Sequence, residues 1–346
     1  MEFLSNYGLF LAKSITIVAA ILFVVIGIIA ASSRGKKEQD GQIEVTLVND
    51  SYDEHEQAIK AVVLNDEQLK QAAKDLKKKQ KDDKKKNKSG DNEDNKKRIY
   101  VLDFDGDVKA SAVESLREEI TAVLTMATPD DEVVLRLESP GGMVHTYGLA
   151  ASQLTRITQK EIPLTIVVDA VAASGGYMMA CIGTKILAAP FAIIGSIGVV
   201  AQLPNFHRLL KKNDVDFEMF TAGEYKRTVT MFGENTEKGK TKFVEELEDT
   251  HELFKSFVTE HRPQVNIAEV ATGEIWYGKR ALENNLIDDI QTSDEYLMSR
   301  REDSNIYSVS FEAKKTLQEK LGLAASYATD GVIDKLIQRF SSNRQY

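Results

Sequence analysis

Two short segments carry the residue types from which a hydrolytic site could be built. One is "ESPGGMVH", with Ser139, Pro140, Gly141 and Gly142; the other is "AASGGY", with Ser174, Gly175 and Gly176. Each follows an apolar run of strand length and precedes a helical pattern, so each falls at the carboxyl end of a strand, where sites form in α/β sheets. A strand-to-helix turn presents unpaired backbone N–H groups and the positive end of a helix dipole. Glycine there permits positive φ and close backbone approach. Donors of this kind, about 3 Å from a developing negative charge, make an oxyanion hole. The Gly141–Gly142 pair could supply them beside a nucleophilic Ser174. On local pattern alone the alternative stays open that both glycine pairs only let helices pack tightly on the sheet.

A serine hydroxyl becomes nucleophilic only when a base takes its proton. His145 lies three residues after Gly142, at the opening of a helix, and is one candidate. Lys226 is the other, in "TAGEYKRTVTMFGENTE", between an expected strand "DFEMF" and a long helix. Ser–Lys pairs follow the logic of the catalytic triad, provided burial disfavours the lysine cation. The five histidines, at positions 55, 145, 207, 251 and 261, show no metal-ligand spacing. Cys181 is the single cysteine, which excludes a disulfide framework.

The elements that must hold these residues read clearly. "RIYVLDFDG", "DEVVLRLES" and "IPLTIVVDA" are strands. Val113, Leu116, Ile120, Val123 and Leu124 recur at helical spacing, a second helix runs to about Gln159, and "ASGGYMMACIG" opens a third. Strand–helix alternation with continuously apolar strands predicts a buried, largely parallel sheet in an α/β domain. Residues 186–203, "ILAAPFAIIGSIGVVAQL", are uncharged, but Pro190, Gly195 and Gly198 cut them into strand-length pieces, so they read as two core strands and a turn rather than a membrane span. Phe243, Leu247, Thr250, Phe254 and Phe257 mark one face of a helix of about 25 residues, with Thr236 as its N-cap and Pro263 just past its end.

Outside that domain, residues 14–33, "SITIVAAILFVVIGIIAASS", carry no charge and at about 1.5 Å per residue reach roughly 30 Å, so they are expected to anchor the chain in a lipid bilayer. Arg34, Lys36 and Lys37 behind the span favour a cytoplasmic body, and Lys13 pulls the other way. The expected domains are an anchor over 1–33, a charged spacer over 34–98, partly helical or disordered, the α/β domain over 99–312, and a helical extension over 313–346. Within the spacer, Lys70–Arg98 holds thirteen Lys/Arg against six Asp/Glu and cannot bury a core. Of the net charge of −9, residues 1–98 carry +2 and the remainder −11. An acidic folded part argues against nucleic acid as a partner.

Together, "LRLESPGGMV", "VAASGGYMMA", "APFAIIGSIGVV", "TAGEYKRT" and "ATGEIWYGKRALENNLID" resemble the signal peptide peptidase A family of membrane-anchored serine peptidases, closest to its single-copy, N-terminally anchored branch. The resemblance covers roughly residues 98–300. It implies a crotonase- and Clp-protease-like fold of repeated β-β-α units. It implies Ser174 as nucleophile, Lys226 as general base, Gly141 as an oxyanion donor, and Ser196 of "GSIGV" as a serine that hydrogen-bonds the lysine. Gly175 is expected as a second backbone donor. The resemblance further implies a homo-oligomeric ring in which serine and lysine come from neighbouring subunits, peptide substrates that are unfolded or signal-peptide-like, no metal or organic cofactor, and a bacterial inner-membrane location whose better-known members face the periplasm. Where relatives carry glycine before "L-[IV]-D", Asn285 stands here, the next-best residue for a left-handed helix end. Two other classes are expected to differ in testable ways: a non-catalytic membrane scaffold, with "GVIDKLIQRF" as a partner-binding helix, and a crotonase-type hydratase or isomerase.

Overall fold

The structure, a computed structural model, describes residues 8–11, 13–14, 16–17, 41–72, 74 and 96–313. Two compact units divide the chain: residues 43–312, and residues 1–42 with 313–346, the second lying largely outside the described residues. Most of the expected anchor and the basic spacer, and all of "GVIDKLIQRF", fall outside them too. Among the described residues no helix is long and apolar enough to cross a membrane.

In chain order the elements are β1 (Gly41–Leu47), α1 (Val48–Val63), β2 (Lys97–Asp105), α2 (Val113–Val123), β3 (Glu132–Glu138), α3 (Val144–Thr158), β4 (Leu164–Val168), β5 (Val171–Ala173), α4 (Gly175–Ala180), β6 (Lys185–Ala188), β7 (Ile193–Gly195), α5 (His207–Lys212), α6 (Glu237–His261), α7 (Ile267–Val270), β8 (Ile275–Tyr277), α8 (Gly278–Glu283), β9 (Asp289–Ile290), α9 (Ser293–Arg300) and β10 (Ser304–Ala313). The large sheet has the order β1-β10-β2-β3-β4-β6-β9, and its pairs from β10 to β9 are parallel. A small sheet has the order β5-β7-β8, parallel between β5 and β7 and antiparallel between β7 and β8. The chain is therefore an α/β protein built on a parallel sheet.

Burial explains why the strands are apolar without a break. Tyr100, Leu102 and Phe104 of β2, with Val133, Leu135 and Leu137 of β3, enter the main core under α2, α3 and α4. Their neighbours Ile99, Val101 and Val134 enter a second core on the opposite face, closed by Tyr296 and Leu297 of α9. Alternate side chains of a strand point to opposite faces, so a sheet covered on both needs hydrophobes at both parities. Three times the chain leaves a large-sheet strand, runs through an extended stretch of the small sheet and enters a helix. These passages are β3, the Ser139–Ala172 bridge and α3; β4, β5 and α4; and β6, β7 and, beyond residues 199–236, α6.

Several local expectations hold. The 186–203 segment gives β6 and β7 with a break at Pro190. The Thr236 hydroxyl caps α6 by accepting from Gly239 N at 3.1 Å. Asn285 has φ +58 and closes α8 with the backbone bond Leu286 N to Ala281 O. Two expectations need correction. "DFEMF" is exposed loop, not strand, because no strand among the described residues pairs with it. The spacer, expected to be partly helical or disordered, holds a strand as well as the helix: β1 joins the large sheet, and Asn49 of α1 donates to the carbonyls of Arg301 and Ser304 and accepts from Ile306 N.

Buried Glu119 on α2 fastens the far end of β10. One oxygen accepts from Phe311 N at 2.9 Å, and the other has no partner among the described residues. Burial pushes its carboxyl above the usual range, with Asp103 adding to the rise and the Phe311 amide opposing it. A carboxyl whose folded pKa is raised weakens the fold when ionised, and that penalty fades as pH falls through the folded value. Glu119→Gln is expected to raise the denaturation midpoint at pH 7, with the advantage shrinking as pH approaches the unfolded carboxyl value of about 4.3. Urea titrations at several pH values measure it.

Candidate active site

Ser174 sits where β5 breaks into α4, with φ +52 and ψ −117. A positive φ in a residue with a Cβ is strained, by roughly 1–3 kcal/mol, and survives only where the surroundings impose it. Here they do. Ser174 N–H donates to Gly195 O at 2.7 Å, and Ser174 O accepts from Met178 N at 3.0 Å. The hydroxyl is half-buried and caps no backbone group. One register step beyond the Ala173–Gly195 pair, the neighbouring parallel strand ends in Ser196, also at positive φ, +51, with its N–H on Glu274 O at 2.8 Å. The structure thus brings Ser174 and Ser196 side by side at the carboxyl ends of adjacent strands.

The Gly141 loop lies against the same point. Gly141 has φ +88, and a Cβ there would stand 2.8 Å from Ser174 Cβ, 2.8 Å from Gly175 N and 2.6 Å from Ala173 O. Glycine is required for both conformation and contact. Gly141 N–H donates to Ser139 Oγ at 3.1 Å. Gly175 N–H, at the first position of α4, has no acceptor among the described residues.

Three residues to which the sequence reading gave no role hold these loops together. Glu138 accepts from Ala170 N at 2.7 Å and Val171 N at 3.0 Å, pinning the hinge between β4 and β5. Burial is the main cause that raises its carboxyl, with Asp169 and Asp105 adding to it and the two amides opposing. Ser139 N donates to Val171 O and Ser139 O accepts from Ala173 N, which stitches the end of β3 to β5. Tyr147 of α3 is fully buried behind Gly175, so close that a Cβ at 175 would enter its ring. The available signal was position: Glu138 and Ser139 open the "ESPGG" segment, and Tyr147 follows at helical spacing on the buried face of α3.

No hydrogen bond joins Lys226 to Ser174 among the described residues. Lys226 is exposed on the stretch from 199 to 236, which holds α5, and its side chain makes no hydrogen bond or ion pair among the described residues. The same stretch leaves apolar side chains open to solvent, with Val200 at 80% and Phe220 at 89% exposure. His145 is also exposed, at the start of α3, and its side chain makes no hydrogen bond or ion pair among the described residues. Cys181 is buried in α4's wake with its thiol pushed up by burial, an inert core residue. Among the described residues no group of three or more His, Cys, Asp or Glu could hold a metal ion.

Comparison with known proteins places this arrangement. Residues 2–154 match the family model for the N-terminal part of peptidase family S49, and residues 156–307 match that for peptidase family S49. The chain is 50% identical over 351 residues to "Probable protease SohB" of Haemophilus influenzae, an alignment that covers 100% of this chain and 99% of that protein. The chain belongs to peptidase family S49. A second relative of this S49 peptidase, "Probable protease SohB" of Buchnera aphidicola from Acyrthosiphon pisum, is 49% identical over 327 residues, with 94% and 95% of the two chains covered. "Protease 4" of Haemophilus influenzae is 26% identical over 206 residues, spanning 56% of this chain and 33% of its own.

Two glycines of the S49 peptidase test how tightly the site is packed. Gly175→Ala forces a methyl into the Tyr147 ring and is expected to cost about 1–3 kcal/mol. Gly148→Ala on α3, where nothing lies within 4 Å of the added carbon, is expected to stabilise by about 0.5–1 kcal/mol. Chemical denaturation of both variants reads the two signs.

Proposed function

We propose that this chain is a membrane-anchored serine endopeptidase whose Ser–Lys dyad forms between subunits of a homo-oligomeric ring on a crotonase- and Clp-protease-like scaffold. The observation that carries the reading is the left-handed backbone at Ser174. It projects a hydroxyl without a hydrogen-bond partner among the described residues beside Gly141 and Gly175, while Lys226 stands exposed, its side chain unpartnered among the described residues, on the 199–236 stretch, whose apolar side chains face solvent. The thrice-repeated strand–strand–helix passage supports the scaffold, and the uncharged residues 14–33 support a single-pass anchor in a bacterial inner membrane.

In this reading Ser174 Oγ attacks the peptide carbonyl as the Lys226 amine of a neighbouring copy takes its proton. Ser196 Oγ, adjacent to Ser174 and without a hydrogen-bond partner among the described residues, orients that amine. Gly175 N–H and the 141–142 loop receive the oxyanion. The protonated lysine returns its proton to the leaving amine, and the acyl-serine remains. Water then attacks the ester with Lys226 again as base, releasing the carboxylate and restoring Ser174. Burial of the 199–236 stretch against a second copy excludes water around the amine and disfavours its cation. A passage closed around such sites admits extended chains, so unfolded or signal-peptide-like segments are the substrates. No step calls for a metal or organic cofactor.

Complementation tests both the dyad and its assembly. Ser174→Ala and Lys226→Ala are each expected to lower peptide hydrolysis by about 10⁴-fold or more. Co-expressed in one membrane, the two variants are expected to regain a measurable fraction of wild-type activity, since each intact site draws serine from one variant and lysine from the other. A mixture as inactive as its parts would place the dyad within one chain; full hydrolysis by Ser174→Ala would refute Ser174 as the nucleophile, and a wild-type protein that hydrolyses no peptide and keeps its cellular function as Ser174→Ala would be a scaffold.

A further inference from the structure

Behind Gly141 runs a buried line of hydroxyls whose hydrogens can be assigned one by one. Tyr147 Oη–H donates to Asp107 O at 2.7 Å. A phenol has one hydrogen, so at the 2.5 Å contact between Tyr147 Oη and Ser139 Oγ the serine is the donor. Ser139 Oγ then offers lone pairs to the Gly141 N–H at 3.1 Å. The order is Gly141 N–H to Ser139 to Tyr147 to the Asp107 carbonyl, and both side chains are fully buried. Burial raises the Tyr147 phenol above its ordinary value, more than its bond to Ser139 lowers it, so it stays protonated and the direction of the line is fixed.

We propose that Ser139 and Tyr147 are positioning residues for the oxyanion hole: their hydroxyls hold the Gly141 N–H inward, so that the next amide, Gly142 N–H, is the one left to meet the carbonyl that Ser174 attacks. The inference rests on the peptidase reading above. Gly142 is exposed, and its N–H has no acceptor among the described residues. Its peptide lies between Gly141 Cα, packed on Ser174 Cβ, and Val108, whose carbonyl takes Met143 N–H at 2.9 Å and would collide with any side chain at 142. The loop is thus fixed on both sides of that amide. Tyr147 also backs Gly175 with its ring, and the Ser139 carbonyl and Cβ back Gly176, where an added carbon would stand 2.6 Å and 3.1 Å from them. One pair of side chains therefore sets the spacing between both groups of donors.

The test uses the full-length protein in its native assembly, with Ser139→Ala, Tyr147→Phe and the double variant. Ser139→Ala is expected to lower kcat about a hundredfold with KM within about twofold, as loss of an aligned oxyanion donor does. Tyr147→Phe, which leaves Asp107 O bonded to Ala110 N, is expected to lower kcat about tenfold. The double variant is expected to match Ser139→Ala alone, because both act through one amide. Hydrogen exchange of the peptide spanning 137–147 is expected to quicken at Gly141 in Ser139→Ala. Wild-type kcat in Ser139→Ala, losses that simply multiply in the double variant, or unchanged exchange at Gly141 would each overturn the proposal. Should the wild-type protein itself hydrolyse no peptide, the peptidase reading fails and the exchange measurement alone still decides whether Ser139 holds the amide.

Discussion

A single backbone hydrogen bond, Ser174 N–H to Gly195 O, fixes the place from which everything else in the site takes its bearings. It joins the ends of two short parallel strands at a residue forced into left-handed backbone. The strain is supportable because β5 and β7 are buried and parallel, because Gly195 adopts φ +93 without a Cβ, and because Trp276 of β8 lies where that Cβ would be. The glycines at 141, 175 and 176 serve the same constraint. A Cβ at any of them would stand no more than 2.6 Å from a neighbouring backbone or ring, so the loop, the elbow and the helix behind it pack too closely for a side chain at these positions.

Around that fixed point the molecule is uneven. The half of the site that belongs to the large sheet is stitched by backbone bonds and by Glu138, Ser139 and Tyr147. The half expected to bring the amine is an exposed stretch whose aromatic rings stack mainly on one another, Phe206 on Phe232 and Phe217 beside it. Apolar surface left in water is unfavourable by about 25 cal/mol per Å², and a second copy of the chain would relieve it while supplying a lysine. The first half of α6, where Phe243 and Leu247 are only half-buried, adjoins the same region. Its second half is anchored in the core by Phe254 and Val258.

The sequence made some of this legible and hid the rest for physical reasons. Strands buried on both faces announce themselves as unbroken apolar runs, so β2, β3, β4, β6 and β7 stand out. The glycine pairs after Ser139 and Ser174 mark close backbone contact. β1 was hidden because an edge strand alternates apolar and polar residues within a charged neighbourhood, and its partner β10 lies some 260 residues away in the chain. "DFEMF" has the composition of a strand, but no strand among the described residues pairs with it, and composition cannot register that absence. Ser139 and Tyr147 are ordinary residues on a strand end and a helix face, and only three-dimensional proximity joins their hydroxyls into a line. Lys226 was singled out by its position among motifs, yet its side chain is exposed and makes no hydrogen bond or ion pair among the described residues.

The most direct trial of the account is covalent: treat the assembled full-length protein with a fluorophosphonate and map the modified residue by peptide mass spectrometry. The account predicts a single phosphonylated serine at 174, with labelling strongly slowed when the amine at 226 is removed. A preparation that cleaves peptides while residue 174 stays unmodified, or that takes the label on a different serine, would contradict it.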